Sequence, residues 1–234
     1  MTARSATAVY VDGYNLYYGR IRGTPFKWLD VVGLFDQLLH DQDPSSIVTN
    51  VRYFTAPALA RFASHGQASV NAQQDYHRAL QRLHASRFQL ALGTHSIDRA
   101  GTLLPRFVDG VAYDRADRVR VWKLEEKQTD VNLALSMYRD ACSGAFRQLV
   151  LCSNDSDVAP ALEAIRSDFP DITLGVVVPI RPPTSPSVHR RVSASLSSRA
   201  AWTRHYLRDD ELRKSQLPDR VHTGKKPIRR PNHW

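Results

Sequence analysis

The sequence predicts an α/β protein, a three-layer α/β/α sandwich built around a central, mainly parallel sheet. Three observations carry that expectation. Short apolar runs such as AVYV (residues 8–11) and QLVLC (residues 148–152) have the unbroken character of strands buried on both faces. Segments of helical periodicity alternate with these runs, as right-handed βαβ units require. Acidic and amide side chains stand where runs end or border: Asp12 and Asn15 in VYVDGYN, Asp130 in EEKQTDVNLA, Asp155 and Asp157 in LCSNDSDVAP. The carboxyl edge of a parallel sheet is where such proteins place their sites.

Taken in order, the first strand covers roughly residues 6–11. Gly13 permits a tight turn after it, and Asn15 caps the short segment NLYYG. Trp28, Val31, Val32, Phe35, Leu38 and Leu39 recur at helical spacing, so WLDVVGLFDQLLH reads as an amphipathic helix. A second strand near residues 48–55 stops at Pro57. A helix over about 68–86 follows, with Tyr76, Leu80 and Leu83 on its apolar face, and FQLALGTH is the third strand. From 96 to 127 the periodicity is weak, and only VRVWKLEEK alternates as an edge ribbon does. Thr129 caps a helix bearing Val131, Leu135 and Tyr138. Residues 147–152 form the next strand, 158–169 the next helix, and ITLGVVVP the strand after it. RPPTSPS is a loop, and 193–214 is a last helix with Leu196, Trp202, Tyr206 and Leu207 available for docking. The expected organisation is one domain over residues 1–214 and a basic, disordered tail over 215–234.

A length of 234 residues with 42% hydrophobic content suits a single domain with a proper core. No run approaches the ~20 apolar residues of a membrane span. The segment MTARSATAVYVDG lacks a signal-peptide core, so the cytoplasm is the expected compartment. Cys142 and Cys152 match neither a disulfide framework nor a zinc pattern. Of the net charge of +9, residues 214–234 supply +5, from six Lys or Arg against Asp219. Charge alone leaves two readings of that tail: an RNA-binding arm acting by phosphate neutralisation, or a solvated end. Apolar residues on the last helix would suit a homodimer.

A cluster of carboxylates repels itself unless a cation sits within it. Mg2+ and Mn2+ are hard ions that prefer such oxygens, and two of them ~3.5–4 Å apart can activate water and stabilise a leaving oxygen. Asp12 and Asp155, at the ends of adjacent central strands, are the principal expected metal ligands, with Asp130 beside them and Asp157 completing the pocket. Each has a structural counterpart. Asp155 also suits an N-cap and Asp130 a first helical turn, whereas Asp12 has no such excuse. Asn15 is placed to orient Asp12 or contact a phosphate oxygen, and Ser153 to hold a phosphate or a metal-bound water. Glu126 is a possible extra acid, with Glu125 competing for that place. Tyr14, Tyr17 and Tyr18 read as packing residues before stacking ones. The nine histidines form no metal spacing and receive no catalytic role.

The motifs VYVDGYNLYYG, RYFTAP, QQDYHRAL, EEKQTDVNLAL and LVLCSNDSDVAPAL, with a closing KSQLP, resemble in their order the NYN family of the PIN-like nuclease superfamily. The resemblance covers about residues 7–218. It implies a PIN-like, Rossmannoid fold and a metal-dependent ribonuclease that hydrolyses RNA phosphodiester bonds. Asp12, Asp130, Asp155 and Asp157 would be catalytic, with Asn15, Ser153 and Lys127 contacting substrate and Lys127 neutralising the scissile phosphate. One departure is Asn154, where many relatives carry Gly, at a turn that Asn tolerates. Two alternatives of other classes stand beside this reading: a non-catalytic RNA-binding or regulatory module, and an oxygen-using hydroxylase of small aromatic compounds, as some NYN-like proteins are described. The dinucleotide fingerprint GxGxxG is absent from the sequence.

Overall fold

A computed structural model describes residues 5–183, 191–224 and 226–234. Residues 184–187 of the RPPTSPS loop, His189 and Lys225 lie outside the described residues. In chain order, β1 (Ser5–Asp12) leads through α1 (Gly13–Leu16) and a π-helical turn (Tyr17–Ile21) to α2 (Val31–Gln42), β2 (Ser46–Thr55), α3 (Gln67–Leu83) and β3 (Phe88–Leu92). Four short strands follow: β4 (Thr94–Ile97), β5 (Thr102–Pro105), β6 (Arg118–Val121) and β7 (Leu124–Lys127). They form nested antiparallel ribbons, β5 with β6 and β4 with β7. After them come α4 (Thr129–Ser143), β8 (Gln148–Cys152), a 3-10 turn (Ser156–Val158), α5 (Ala159–Asp168) and β9 (Thr173–Val177). The chain closes with α6 (Ala194–Ser197), β10 (Trp202–Arg204), α7 (Asp209–Lys214) and the small hairpin of β11 (Arg220–Val221) and β12 (Ile228–Arg229).

The main sheet has six strands in the order β10-β9-β8-β1-β2-β3, and every neighbouring pair is parallel. Strand order reverses at β1: the chain first builds outward through β2 and β3, then returns to β8 on the other side. Side chains alternate across β1. Val9 and Val11 join a core layer with α2 and α3, while Ala8 and Tyr10 join another with α4 and α5. The three-layer sandwich expected from the sequence is therefore the observed architecture. Tyr10 carries a polar hydroxyl into the second layer, where it donates to Asp140 at 2.5 Å, and Arg52 donates to the other oxygen at 2.7 Å. That buried group is satisfied rather than stranded.

Three segments depart from expectation. Residues 96–127 resolve into four-residue strands largely exposed on both faces, too short and too solvated to show a period. Residues 193–214 do not form one helix. They divide into α6, β10 and α7, because Trp202 lies across β9 at Gly175, where a Cβ would stand 2.2 Å from the indole ring. Its Nε1 donates to Gln148 Oε1 at 3.0 Å. Leu196 and Leu207 are buried in the core, whereas Tyr206 is exposed. The supposed disordered tail is a packed strap. Leu217, Val221 and Ile228 are buried, and the Trp234 ring lies 6.2 Å from that of Trp28 and 5.7 Å from that of Tyr76. A few apolar residues spaced among the charges anchor it, while Arg220, Lys226 and Arg229 stay exposed. Among the described residues, no helix is long and apolar enough to cross a membrane.

Trp28 joins these parts: its ring is fully buried and its Nε1 donates to the Pro218 carbonyl at 2.9 Å. Trp28→Ala should lower unfolding free energy by ~3–5 kcal/mol, read from the urea midpoint at unchanged slope. A loss under about 1 kcal/mol would mean that the strap and the first core layer are not coupled through this ring.

Candidate functional site

Strand order reverses between β1 and β8, so the connections that leave their carboxyl ends run to opposite sides, the usual ligand position in an open α/β sheet. Asp12 ends β1 and is 3% exposed. It has a structural duty after all: its Oδ1 accepts from the Asn15 N–H at 2.9 Å, capping α1, and its Oδ2 accepts from the Ser153 hydroxyl at 2.9 Å. Asn15 in turn accepts from the Asn154 N–H at 3.3 Å through its amide oxygen. Asp155 caps the 3-10 turn by accepting from the Asp157 N–H at 3.1 Å. Burial raises the Asp12 pKa, and the hydrogen bonds from Asn15 and Ser153 oppose that rise.

Asp130 opens α4 beside the same strand ends. Gln128, the one non-glycine residue with positive φ among the described residues (φ 76), turns the chain into that helix, so Thr129 is not its cap. The Thr129 hydroxyl donates to the Glu126 carboxylate instead. The turn is tight: a Cβ on Gly93 would lie 2.4 Å from Thr129 Oγ1. Burial, with the charges of Asp12 and Asp130, raises Glu126 to about 7. Burial, with Asp12, Asp155 and Asp157, raises Asp130 to about 6. Lys127 is exposed and bonds Glu125 at 3.0 Å, pairing on the surface rather than with the acidic cluster.

Among the described residues no three His, Cys, Asp or Glu side chains converge closely enough to hold one metal ion. The expected Mg2+ or Mn2+ ligands Asp12, Asp130 and Asp155 share an electrostatic neighbourhood, with Asp12 held by Asn15 and Ser153 and Asp155 by the Asp157 N–H.

Beside the cluster lies a cavity of about 360 Å³, within the size range of small-molecule sites. Tyr14, Tyr17, Tyr18, Tyr53 and Tyr76 line it. The tyrosines that follow Asp12, expected as packing residues, are thus cavity walls, and Tyr14 reaches His95 at 3.3 Å. Burial and the Glu126 charge raise the Tyr14 pKa; burial and the Asp12 charge raise that of Tyr53. Four histidines that the sequence left without a role, His65, His77, His95 and His233, also line the cavity. They come from four separated segments, which no spacing rule collects. Burial lowers His77 to about 4, so it is neutral at physiological pH.

Because Glu126 and Asp130 bind protons more tightly folded than unfolded, their contribution to stability is present at low pH. It fades as pH rises from about 4.5 through about 7. Solvent screening at this partly exposed position leaves an effect on the order of 1 kcal/mol. In chelator-treated protein, Glu126→Gln should melt roughly 2–4 °C above wild type near pH 8, with the gap shrinking toward about pH 5. A gap independent of pH would count against the raised proton affinity.

No protein-family model matches the chain. Among curated proteins it is similar to 6-hydroxy-3-succinoylpyridine 3-monooxygenase HspA of Pseudomonas putida, 38% identical over 247 aligned residues that cover 97% of this chain and 75% of that protein. Among solved structures, a protein of unknown function from Vibrio parahaemolyticus matches with a TM-score of 0.52 and 17% identity, over 90% of this chain and 97% of that one, a likeness of fold alone. The first likeness overturns the expectation of a ribonuclease. A strand-edge acidic cluster is compatible with more than one chemistry, and the sequence shared through nearly all of this chain is that of a monooxygenase, not of a hydrolase acting on RNA. The chain belongs to the family of 6-hydroxy-3-succinoylpyridine 3-monooxygenase, a family of enzymes.

Proposed function

We propose that this chain is a monooxygenase that hydroxylates a small aromatic or N-heteroaromatic compound. The observation that carries the reading is the 38% identity across 97% of the chain to an enzyme of that kind. The cavity agrees with it: its tyrosine walls suit a flat ring, and stacking and edge contacts to such rings are favourable. The reaction inserts one oxygen atom of dioxygen into a ring C–H bond and reduces the other to water. Two electrons and two protons are needed, the electrons coming from an external donor such as a reduced nicotinamide.

Within this reading the carboxylates manage protons. A group titrating at about 7, as Glu126 does, is suited to exchanging a proton at neutral pH, because acid–base catalysis works best when pKa and operating pH coincide. Burial first, and then the charges of Asp12 and Asp130, keep that proton affinity high. Tyr14 and Tyr53, whose phenols stay neutral, stand between the carboxylates and the cavity and orient a ring hydroxyl by hydrogen bonding.

Purified protein supplied with 6-hydroxy-3-succinoylpyridine or related hydroxypyridines, a reduced nicotinamide and isotopically heavy dioxygen should yield a product bearing one heavy oxygen atom. No product should form once dioxygen is removed. An absorbance spectrum taken beforehand identifies any bound chromophore. Glu126→Gln should reduce kcat by ~10²-fold or more. Conversion that persists without dioxygen, or a product whose new oxygen comes from water, would sink the proposal.

A further inference from the structure

The cavity is electrically polarised. At one end, Tyr53 lies close enough to Asp12 and Glu126 for both charges to raise its pKa. From there a wall of rings crosses the cavity: Tyr53 to Tyr76 at 6.3 Å, Tyr76 to Trp234 at 5.7 Å, Trp234 to His233 at 6.4 Å, and His233 to His65 at 4.6 Å between centroids. At the far end Lys27 joins the two histidines, its Nζ 3.5 Å from the His233 carbonyl. One end is acidic, the other basic, and aromatic faces connect them.

The basic end lacks a counter-charge. No Asp or Glu is among the cavity-lining residues. Among the described residues, neither Lys27 nor Arg22, the two permanently cationic side chains of the lining, forms an ion pair. Other cations of the chain commonly do, as Arg20 with Asp209, Arg52 with Asp140 and Arg87 with Asp36 show. His233 Nε2 is buried with no hydrogen-bond partner. An unpaired lysine beside an unsatisfied imidazole in an aromatic cavity has the chemistry of an anion subsite, since a carboxylate accepts from both donors.

We infer that Lys27, with His65 and His233, forms an anion subsite of this cavity: a substrate's side-chain carboxylate reaches these residues while its ring lies toward Tyr53 and the carboxylate cluster. This rests on the hydroxylase reading and deepens it by naming the residues that hold and orient the acid group. Orientation follows from polarity. The acid group is repelled from the Asp12–Glu126 end and attracted to Lys27, which sets the opposite, oxidisable part of the ring against the proton-managing carboxylates. Burial, with His65 and Lys27 nearby, lowers the pKa of His233, and its imidazole offers a hydrogen bond beside the Lys27 ammonium.

Binding without turnover isolates this inference. Calorimetric titrations of the full chain, with no electron donor present, would compare 3-succinoylpyridine with its primary amide. The acid should bind ten- to a hundredfold more tightly, on the order expected of a charge-assisted hydrogen bond. Lys27→Met should erase most of that ratio, Lys27→Arg should keep it, and His233→Ala should reduce it, with thermal melts confirming that each variant is folded. Equal affinity for acid and amide, or a ratio that survives Lys27→Met, overturns the proposal. Flavin mononucleotide, an aromatic phosphate, forms a third arm: if it displaces the acid and loses affinity in Lys27→Met, the subsite belongs to a phosphate and the proposal is also overturned. Selective acid binding by a protein that shows no dioxygen-dependent conversion supports the subsite and defeats the hydroxylase reading alone.

Discussion

Asp12 ends a strand that is buried on both faces, and the site around it follows from what keeps a carboxylate there. Removing such a group from water is costly unless hydrogen bonds replace those it loses. Here they come from Asn15, one turn onward, and from Ser153, which follows β8. The contacts tie the ends of two adjacent strands at the point where strand order reverses, and the bond from Asn154 to Asn15 closes the same seam a second time. With its geometry locked, Asp12 still projects its charge. Glu126 and Asp130 respond by holding their protons to higher pH. Burial is the larger cause of that response and the Asp12 charge adds to it, so this one position shapes the strand ends and also contributes to their appetite for protons.

Much of this was legible in the chain. Strands such as AVYV and QLVLC are buried on both faces, so their unbroken apolar character follows from their place in a parallel sheet. The gathering of Asp12, Asp130, Ser153 and Asp155 at one edge followed from strand ends and helix starts. The missing information was long-range. Thr129 has the type of a helix cap, yet Gln128 makes the turn and the threonine hydroxyl goes to Glu126. Trp202 has helical spacing from its neighbours, yet the absent side chain of Gly175 draws it across β9. Residues 215–234 have the composition of a disordered segment, and four apolar side chains outweigh that composition: Leu217, Val221 and Ile228 join the first core layer and Trp234 packs on Trp28 and Tyr76.

The mistaken chemistry has a physical source as well. Carboxylates at a sheet edge reveal that negative charge must be managed there, but not whether a cation or a proton manages it. Fold does not decide between them. What overturned the ribonuclease reading was identity to a monooxygenase along nearly the whole chain, and no motif foretold the ring-lined cavity assembled from residues near positions 14, 53, 65, 76 and 233. None of these is conspicuous alone, and no local spacing connects them.

The closing ring of that cavity is Trp234, which faces Trp28 at 6.2 Å and Tyr76 at 5.7 Å. Of the four tryptophans in the chain, it is the one that lines the cavity. Indole emission responds to the polarity and the quenchers around it, so this protein carries an intrinsic optical probe of its own occupancy. A ligand entering the space changes the colour and lifetime of the emission without any label, and the same wall that shapes the site makes its filling visible.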